Sequence, residues 1–228
     1  MIEWVGLDGD DTLWHSEDQF TEVQLEFHAM LMPYIADSLD PVAALDEVEH
    51  RNLELFGYGA KGFTLSMIET AIELSHGRVT AREIQHLIGL GREILARPVE
   101  LIDGVTETVH ALRSMNLRLM IVTKGDLMHQ ESKVAGSGLA EFFDDVAIVS
   151  EKDEPTYVRI LKRHEIEPSS FLMVGNSVKS DVLPALAIGA RAVHIPYHVT
   201  WVRELVDHDT TFPTLGSIRD LPGFVPNV

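Results

Sequence analysis

Between Gly104 and Ile195 the sequence repeats one pattern four times: a helix-length segment, then a short run of bulky apolar residues. Helices are predicted near residues 105–115, 127–136, 155–164 and 181–188, and strands at Leu117–Val122, Val146–Val149, Phe171–Val174 and Ala190–Ile195. Strands spaced by helices of this length pair in parallel, each helix crossing over one face of the sheet. A fifth apolar run, Ile2–Leu7, is too short for a helix and reads as another buried strand. The stretch between it and residue 100 is helical throughout. Ser16-Glu17-Asp18-Gln19 is a capping box opening a helix towards Pro33. Asp40-Pro41 starts a second, with Val42, Leu45 and Val48 at helical spacing up to Gly57. Leu65, Ile68 and Ile72 mark a third, ended by Gly77, and Thr80-Ala81-Arg82-Glu83 is a capping box for a fourth running close to Pro98. The chain is therefore expected to be α/β, a parallel sheet of residues 1–15 and 100–228 carrying an all-helical insertion, residues 16–99.

Charge narrows the partners. Lys and Arg number 18 against 36 Asp and Glu, a net −18. Such a surface repels nucleic acid backbones and anionic lipid, so neither is expected as a partner. A phosphorylated substrate would need local positive charge, which a metal ion and a few lysines can supply. Cysteine is absent, which excludes disulfides and thiol chemistry. The first residues lack the pattern of a signal peptide, and no apolar run approaches the roughly 18 residues of a spanning helix. A cytoplasmic protein is the expectation.

In an open parallel sheet the site lies beyond the carboxyl ends of the strands. Those ends carry Asp8, Asp10, Asp11 and Thr12; Thr123, Lys124 and Gly125; Ser150, Glu151 and Lys152; and Gly175, Asn176 and Ser177, with Asp181 a short step on. Carboxylates, a hydroxyl, lysines and a glycine turn thus gather on one rim. Two acids at i and i+2 would point oppositely within a strand, but past its end, where the backbone turns, both can face one ligand.

The run Asp8-Gly9-Asp10-Asp11-Thr12-Leu13 resembles the first motif of the haloacid dehalogenase superfamily of phosphohydrolases. Thr123 resembles the second motif, Lys152 the third, and Gly175-Asn176-Ser177-Val178-Lys179-Ser180-Asp181 the fourth. The insertion is similar to the C1-type helical cap of that superfamily, and the core to its Rossmann-like sheet. The resemblance implies magnesium-dependent hydrolysis of a small phosphorylated metabolite. Asp8 would be the nucleophile, forming an aspartyl phosphate. Asp10 would be general acid and then base, a role that calls for a raised pKa, and would offer its carbonyl to the metal. Asp8, Asp10, Asn176 and Asp181 are the expected Mg²⁺ ligands, all hard oxygen donors. Thr123 and Lys152, with the turn amides near Gly9 and Lys124, would hold the phosphoryl oxygens.

Two departures stand out. The fourth motif reads Gly-Asn where the family usually has Gly-Asp, replacing a charged ligand by an amide and shifting weight to Asp181. Lys124 stands where a small or amide residue is common, either as an additional phosphate ligand or as a solvent-facing lysine. Tyr58 and Lys61, in a glycine-rich connection of the insertion, are candidates for substrate specificity. Trp14 either packs the cap hinge or touches substrate. His194 and His198 cannot form a helical metal pair across Pro196 and read as structural or surface residues. Rival functions on these residues are a phosphomutase, a 2-haloacid dehalogenase, which lacks the second acid of the first motif, and a receiver-type signalling domain, whose phosphorylated Asp ends a later strand.

Overall fold

The computed structural model describes residues 1–36 and 39–228. Five strands, β1 (Trp4–Leu7), β2 (Arg118–Lys124), β3 (Asp145–Val149), β4 (Phe171–Gly175) and β5 (Arg191–His194), form one sheet in the order β3-β2-β1-β4-β5. Every pairing is parallel; Leu7 lies opposite Ile121 on one side and Val174 on the other. The chain divides into two compact units, Asp18–Pro98 and the remainder, Met1–Glu17 with Val99–Val228.

The helices of Asp18–Pro98 are α1 (Glu17–Leu31), α2 (Pro41–Phe56), α3 (Ala60–Leu74) and α4 (Ala81–Ala96). Their termini obey local chemistry. The Asp40 carboxylate accepts the Val42 and Ala43 amides, and Gly57 leaves α2 at φ 69°. Thr80 and Glu83 form the reciprocal capping box. Phe27, Leu31, Leu45, Met67, Leu87 and Ile94 fill the centre of this unit. The helix marked by Leu65, Ile68 and Ile72 is α3, and its inward face is carried by Phe63, Met67 and Ala71, which are buried, whereas Leu65 and Ile72 are 44% and 47% exposed. Small residues on the inner face, Gly62, Ser66 and Thr70, conceal its apolar periodicity and permit close helix contact.

The second unit adds α5 (Val105–Ser114), α6 (Leu127–Gly136), α7 (Glu154–Arg163), α8 (Leu183–Ala187) and α9 (Leu221–Phe224). Strand residues alternate between two cores. Val5, Leu7, Leu119, Ile121, Leu172 and Val174 meet α5 through Val105, Val109 and Leu112. Trp4, Met120, Val122, Phe171 and Met173 meet α7 through Tyr157, Ile160 and Leu161. Each such side chain contributes about 1.5–3 kcal/mol when fully buried. Gly6 is small because the Phe171 ring takes its space: a Cβ there would sit 2.4 Å from Phe171 Cζ. The strand expected at Leu117–Val122 runs two residues further, with Thr123 and Lys124 still in the ladder opposite Ile148 and Val149. The helix expected at 181–188 starts earlier, as a π-helical turn Val178–Val182. Ser177 caps it, its hydroxyl accepting the Ser180 amide, and the Val182 amide reaches back five residues to Ser177 O at 3.3 Å.

Thr80→Ala removes one half of the capping box and is expected to lower stability by about 1 kcal/mol. Urea denaturation followed by circular dichroism measures this, with Thr80→Ser as the retained-cap control.

Candidate active site

The loop after β1 is a tight turn. Gly9 O accepts the amides of Leu13 (2.8 Å) and Trp14 (3.2 Å), and Asp11 turns the chain at φ 60°, in the left-handed region. Asp tolerates that region better than most side chains. The Asp11 carboxylate accepts the amides of Ser16 (2.8 Å) and Glu17 (3.1 Å), so it fastens the chain where α1 begins. Burial and the Asp10 charge push its carboxyl up to about 7. Gly9 is sterically required, since a Cβ would lie 2.7 Å from Trp14 Cζ2 and 3.0 Å from Thr123 Oγ1.

Asp8 and Lys152 meet directly at the sheet rim, Lys152 Nζ donating to Asp8 Oδ1. The same ammonium donates to Asp181 Oδ1 at 2.7 Å, and all three side chains are buried. Burial and the Asp181 charge push the Asp8 carboxyl up to about 8, against the pull of Lys152. Lys152 itself is desolvated, yet the two carboxylates hold it firmly protonated. The other Asp181 oxygen accepts the Ser177 amide at 3.0 Å. Both oxygens of Asp181 are therefore engaged, and in this arrangement it holds Lys152. Gly175 leaves room for it: a Cβ there would fall 2.1 Å from Asp181 Oδ2.

Asp10 departs from expectation in its protonation. Burial would raise its pKa, but Lys133 Nζ (2.7 Å), Gln130 Nε2 (2.8 Å) and Trp14 Nε1 (2.6 Å) all donate to the carboxylate and hold it below the usual range. This places Trp14 against Asp10. Gln130 and Lys133 escaped the sequence reading. Their signal was a pair of polar residues at i and i+3 on the buried face of α6, the helix directly after Thr123.

The oxygen donors fit a divalent cation. One atom of the Asn176 amide faces Asp8 Oδ2 at 3.1 Å and the Asp10 carbonyl oxygen at 3.2 Å. As nitrogen it donates to both. Turned over, the amide presents its oxygen there, and Thr12 Oγ1 donates to it at 3.4 Å. Ligands around magnesium, bound at about 2.1 Å and at right angles, stand roughly 3 Å apart. The amide atom stands at that spacing from both a carboxylate and a carbonyl oxygen, although no group of three His, Cys, Asp or Glu side chains gathers as metal ligands among the described residues. Beside them the Thr123 hydroxyl, 1% exposed, has no hydrogen-bond partner. Such an orphaned group normally costs about 1–3 kcal/mol unless something binds it. The Gly9 amide, expected to face phosphate, donates to Asp8 Oδ1 at 2.8 Å.

Lys124 is not solvent-facing. Its Nζ donates to Glu204 Oε1 at 2.6 Å and to Ser180 Oγ at 3.1 Å, with Glu151 Oε1 at 3.5 Å. Burial would raise the Glu204 carboxyl, but Lys124, Ser177 and Ser180 together hold it at about 2. Sequence reasoning gave no hint of Glu204. His194 Nε2 contacts Asn176 O at 2.9 Å, in keeping with a structural histidine. Tyr58 and Lys61 belong to the unit Asp18–Pro98, Tyr58 half-buried before α3 and Lys61 exposed in its first turn.

A family of haloacid dehalogenase-like hydrolases matches residues 2–189. The chain belongs to that family. A haloacid dehalogenase-like hydrolase from Xanthomonas campestris has a solved structure with TM-score 0.89 and 44% identity, covering 99% of this chain and 91% of that one. The pyrimidine 5'-nucleotidase YjjG of Escherichia coli is 22% identical over 211 residues, 86% of this chain and 87% of its own length. The glyceraldehyde 3-phosphate phosphatase of Methanocaldococcus jannaschii is 28% identical over 127 residues, 54% of this chain and 55% of its own. The chain thus matches about half the length of that archaeal relative.

Gly175→Ala is expected to destabilise the protein by about 1–3 kcal/mol through overpacking against Asp181, read as a lowered denaturation midpoint. A second outcome concerns pH. Because Glu204 is held near 2, its contribution to stability is complete above the ordinary carboxylate range and is lost as pH falls from about 4.5 towards 2. Glu204→Gln should flatten that part of the stability profile, measured by thermal unfolding from pH 6 to pH 2.5.

Proposed function

We propose that this hydrolase is a magnesium-dependent phosphatase that moves a phosphoryl group from a small phosphate monoester onto Asp8 and then onto water. The observation that carries the reading is the unpartnered Thr123 hydroxyl packed close against Gly9, with the Asp8–Lys152 pair at the same rim. A phosphoryl group between them would give Thr123 its acceptor and Lys152 a third anion. Asp8, the Asp10 carbonyl and Asn176 would hold Mg²⁺, which neutralises charge so that a carboxylate and a phosphate can approach one another.

An Asp8 oxygen attacks phosphorus, and the bond to the ester oxygen breaks. Asp10 is held ionised in this structure, so its proton must come with the substrate: the added negative charge of a phosphoryl group opposes the pull of Lys133 and raises the affinity of Asp10 for a proton. That proton passes to the departing oxygen. The Asp10 carboxylate left behind, steadied by Lys133, Gln130 and Trp14, then takes a proton from the water that attacks the aspartyl phosphate. Asp181 keeps Lys152 aimed at Asp8 throughout.

The activities for which the two relatives are named, on a triose phosphate and on pyrimidine nucleotides, point to small monoesters as the substrate class, and Tyr58 and Lys61 stand as candidates for choosing among them. No helix among the described residues is long and apolar enough to cross a membrane, and we read the enzyme as cytoplasmic. Its parts disfavour the dehalogenase alternative, because three donors converge on Asp10, the acid a dehalogenase lacks.

The test is phosphate release from para-nitrophenyl phosphate, triose phosphates and pyrimidine nucleoside monophosphates with Mg²⁺. Asp8→Asn should abolish turnover. Thr123→Val and Lys152→Ala should each lower kcat by about 10²–10³-fold, and EDTA should stop the reaction. Undiminished turnover in Asp8→Asn, or with EDTA, overturns the assignment.

A further inference from the structure

Thr123 and Asn176 must address the same small volume, yet they sit on strands that do not touch. In the order β3-β2-β1-β4-β5, β2 and β4 are separated by β1. The ladder therefore sets the spacing of their outgoing loops only at second hand. Lys124 bonds across to Ser180 itself, and one further side chain bridges both loops at once. Glu204 Oε1 accepts Lys124 Nζ at 2.6 Å, next in sequence to Thr123. Glu204 Oε2 accepts Ser180 Oγ at 2.5 Å, next to Asp181, and also Ser177 Oγ, next to Asn176. The serines are themselves linked, Ser180 N donating to Ser177 Oγ at 3.0 Å, and Lys124 Nζ reaches Ser180 Oγ at 3.1 Å.

The turn that carries Glu204, Val202–Glu204, lies beyond β5 and outside residues 2–189, where the family match ends. It is fastened a second time, by Lys179 Nζ on Arg203 O at 2.7 Å. The Lys124 and Glu204 side chains are each only 13% exposed. A pair this enclosed is stiff, because loss of either partner strands a charge away from water.

We infer that Glu204 is a positioning residue: a carboxylate from the chain after β5 that clamps the loops of β2 and β4 together, and so fixes Thr123 and Asn176 relative to each other. Its occupant is internal, the Lys124 ammonium. The inference rests on the phosphatase reading for its catalytic consequence, but not for its effect on cation binding. A displacement of about 1 Å in a catalytic constellation can cost 10²-fold, so a modest loosening should be visible in rate.

The experiment compares Glu204→Ala, Glu204→Asp and the double variant Lys124→Met/Glu204→Leu with the wild type. It reads Mg²⁺ affinity by calorimetry in the absence of substrate, kcat and KM for para-nitrophenyl phosphate, and Tm. Glu204→Ala should weaken Mg²⁺ binding and lower kcat, each at least about tenfold, with KM changed less than kcat. Glu204→Asp should recover part of both losses. The apolar double variant should recover Tm, since it removes both buried charges, while kcat and Mg²⁺ affinity stay low. Recovery of all three in the double variant would show that the pair only stabilises the fold and would overturn the inference. So would a Glu204→Ala protein that loses Tm alone. Asp8→Asn is assayed alongside: turnover surviving in that variant defeats the phosphatase reading, whereas the substrate-free calorimetry still decides the role of Glu204.

Discussion

Everything at the rim of the sheet is arranged around a surplus of buried negative charge. Asp8, Asp10 and Asp181 converge on a volume answered by two ammonium groups, Lys152 and Lys133. Carboxylates confined this closely cannot all remain ionised without further compensation, and the strain falls on Asp8, whose proton affinity rises. The divalent cation proposed for this site would relieve that surplus. The glycines make the crowding possible: Gly9 lets Trp14 and Thr123 come close, and Gly175 admits Asp181.

The same arrangement separates the residues proposed to touch a reacting group from those that hold others in place. Asp181, fully buried with both oxygens occupied, holds Lys152. Gln130, Lys133 and Trp14 hold Asp10. Such groups cannot swing freely, so their electrostatic work is done before a substrate arrives. This is the sense in which a parallel sheet serves the chemistry: its ladder brings β1, β2 and β4 into fixed register, and the charges ride on their ends.

Much of this was legible in the sequence because it depends on short-range pattern. The strand–helix alternation after Gly104 gave the sheet, and Asp40-Pro41 and Thr80-x-x-Glu83 gave two helix starts. Asp8 and Lys152, 144 residues apart, could be paired because both follow strands. What could not be read depends on through-space partners. The lowered proton affinity of Asp10 comes from a lysine 123 residues away. The tie of Lys124 comes from Glu204, 80 residues on, in a segment with no periodic signal. The inner face of α3 is hidden for a different reason: much of its contact is made by small residues, which carry little hydropathy, while Leu65 and Ile72 look outward.

The lysines have one more consequence. The chain has only six, and Lys124, Lys133 and Lys152 are folded into the rim, 13%, 10% and 3% exposed, in a protein of net charge −18. An approaching anion therefore meets a repulsive exterior and finds attraction only at contact range. Capture of an anionic ester should then quicken as ionic strength rises, because screening dampens the distant repulsion and leaves the enclosed cations almost untouched.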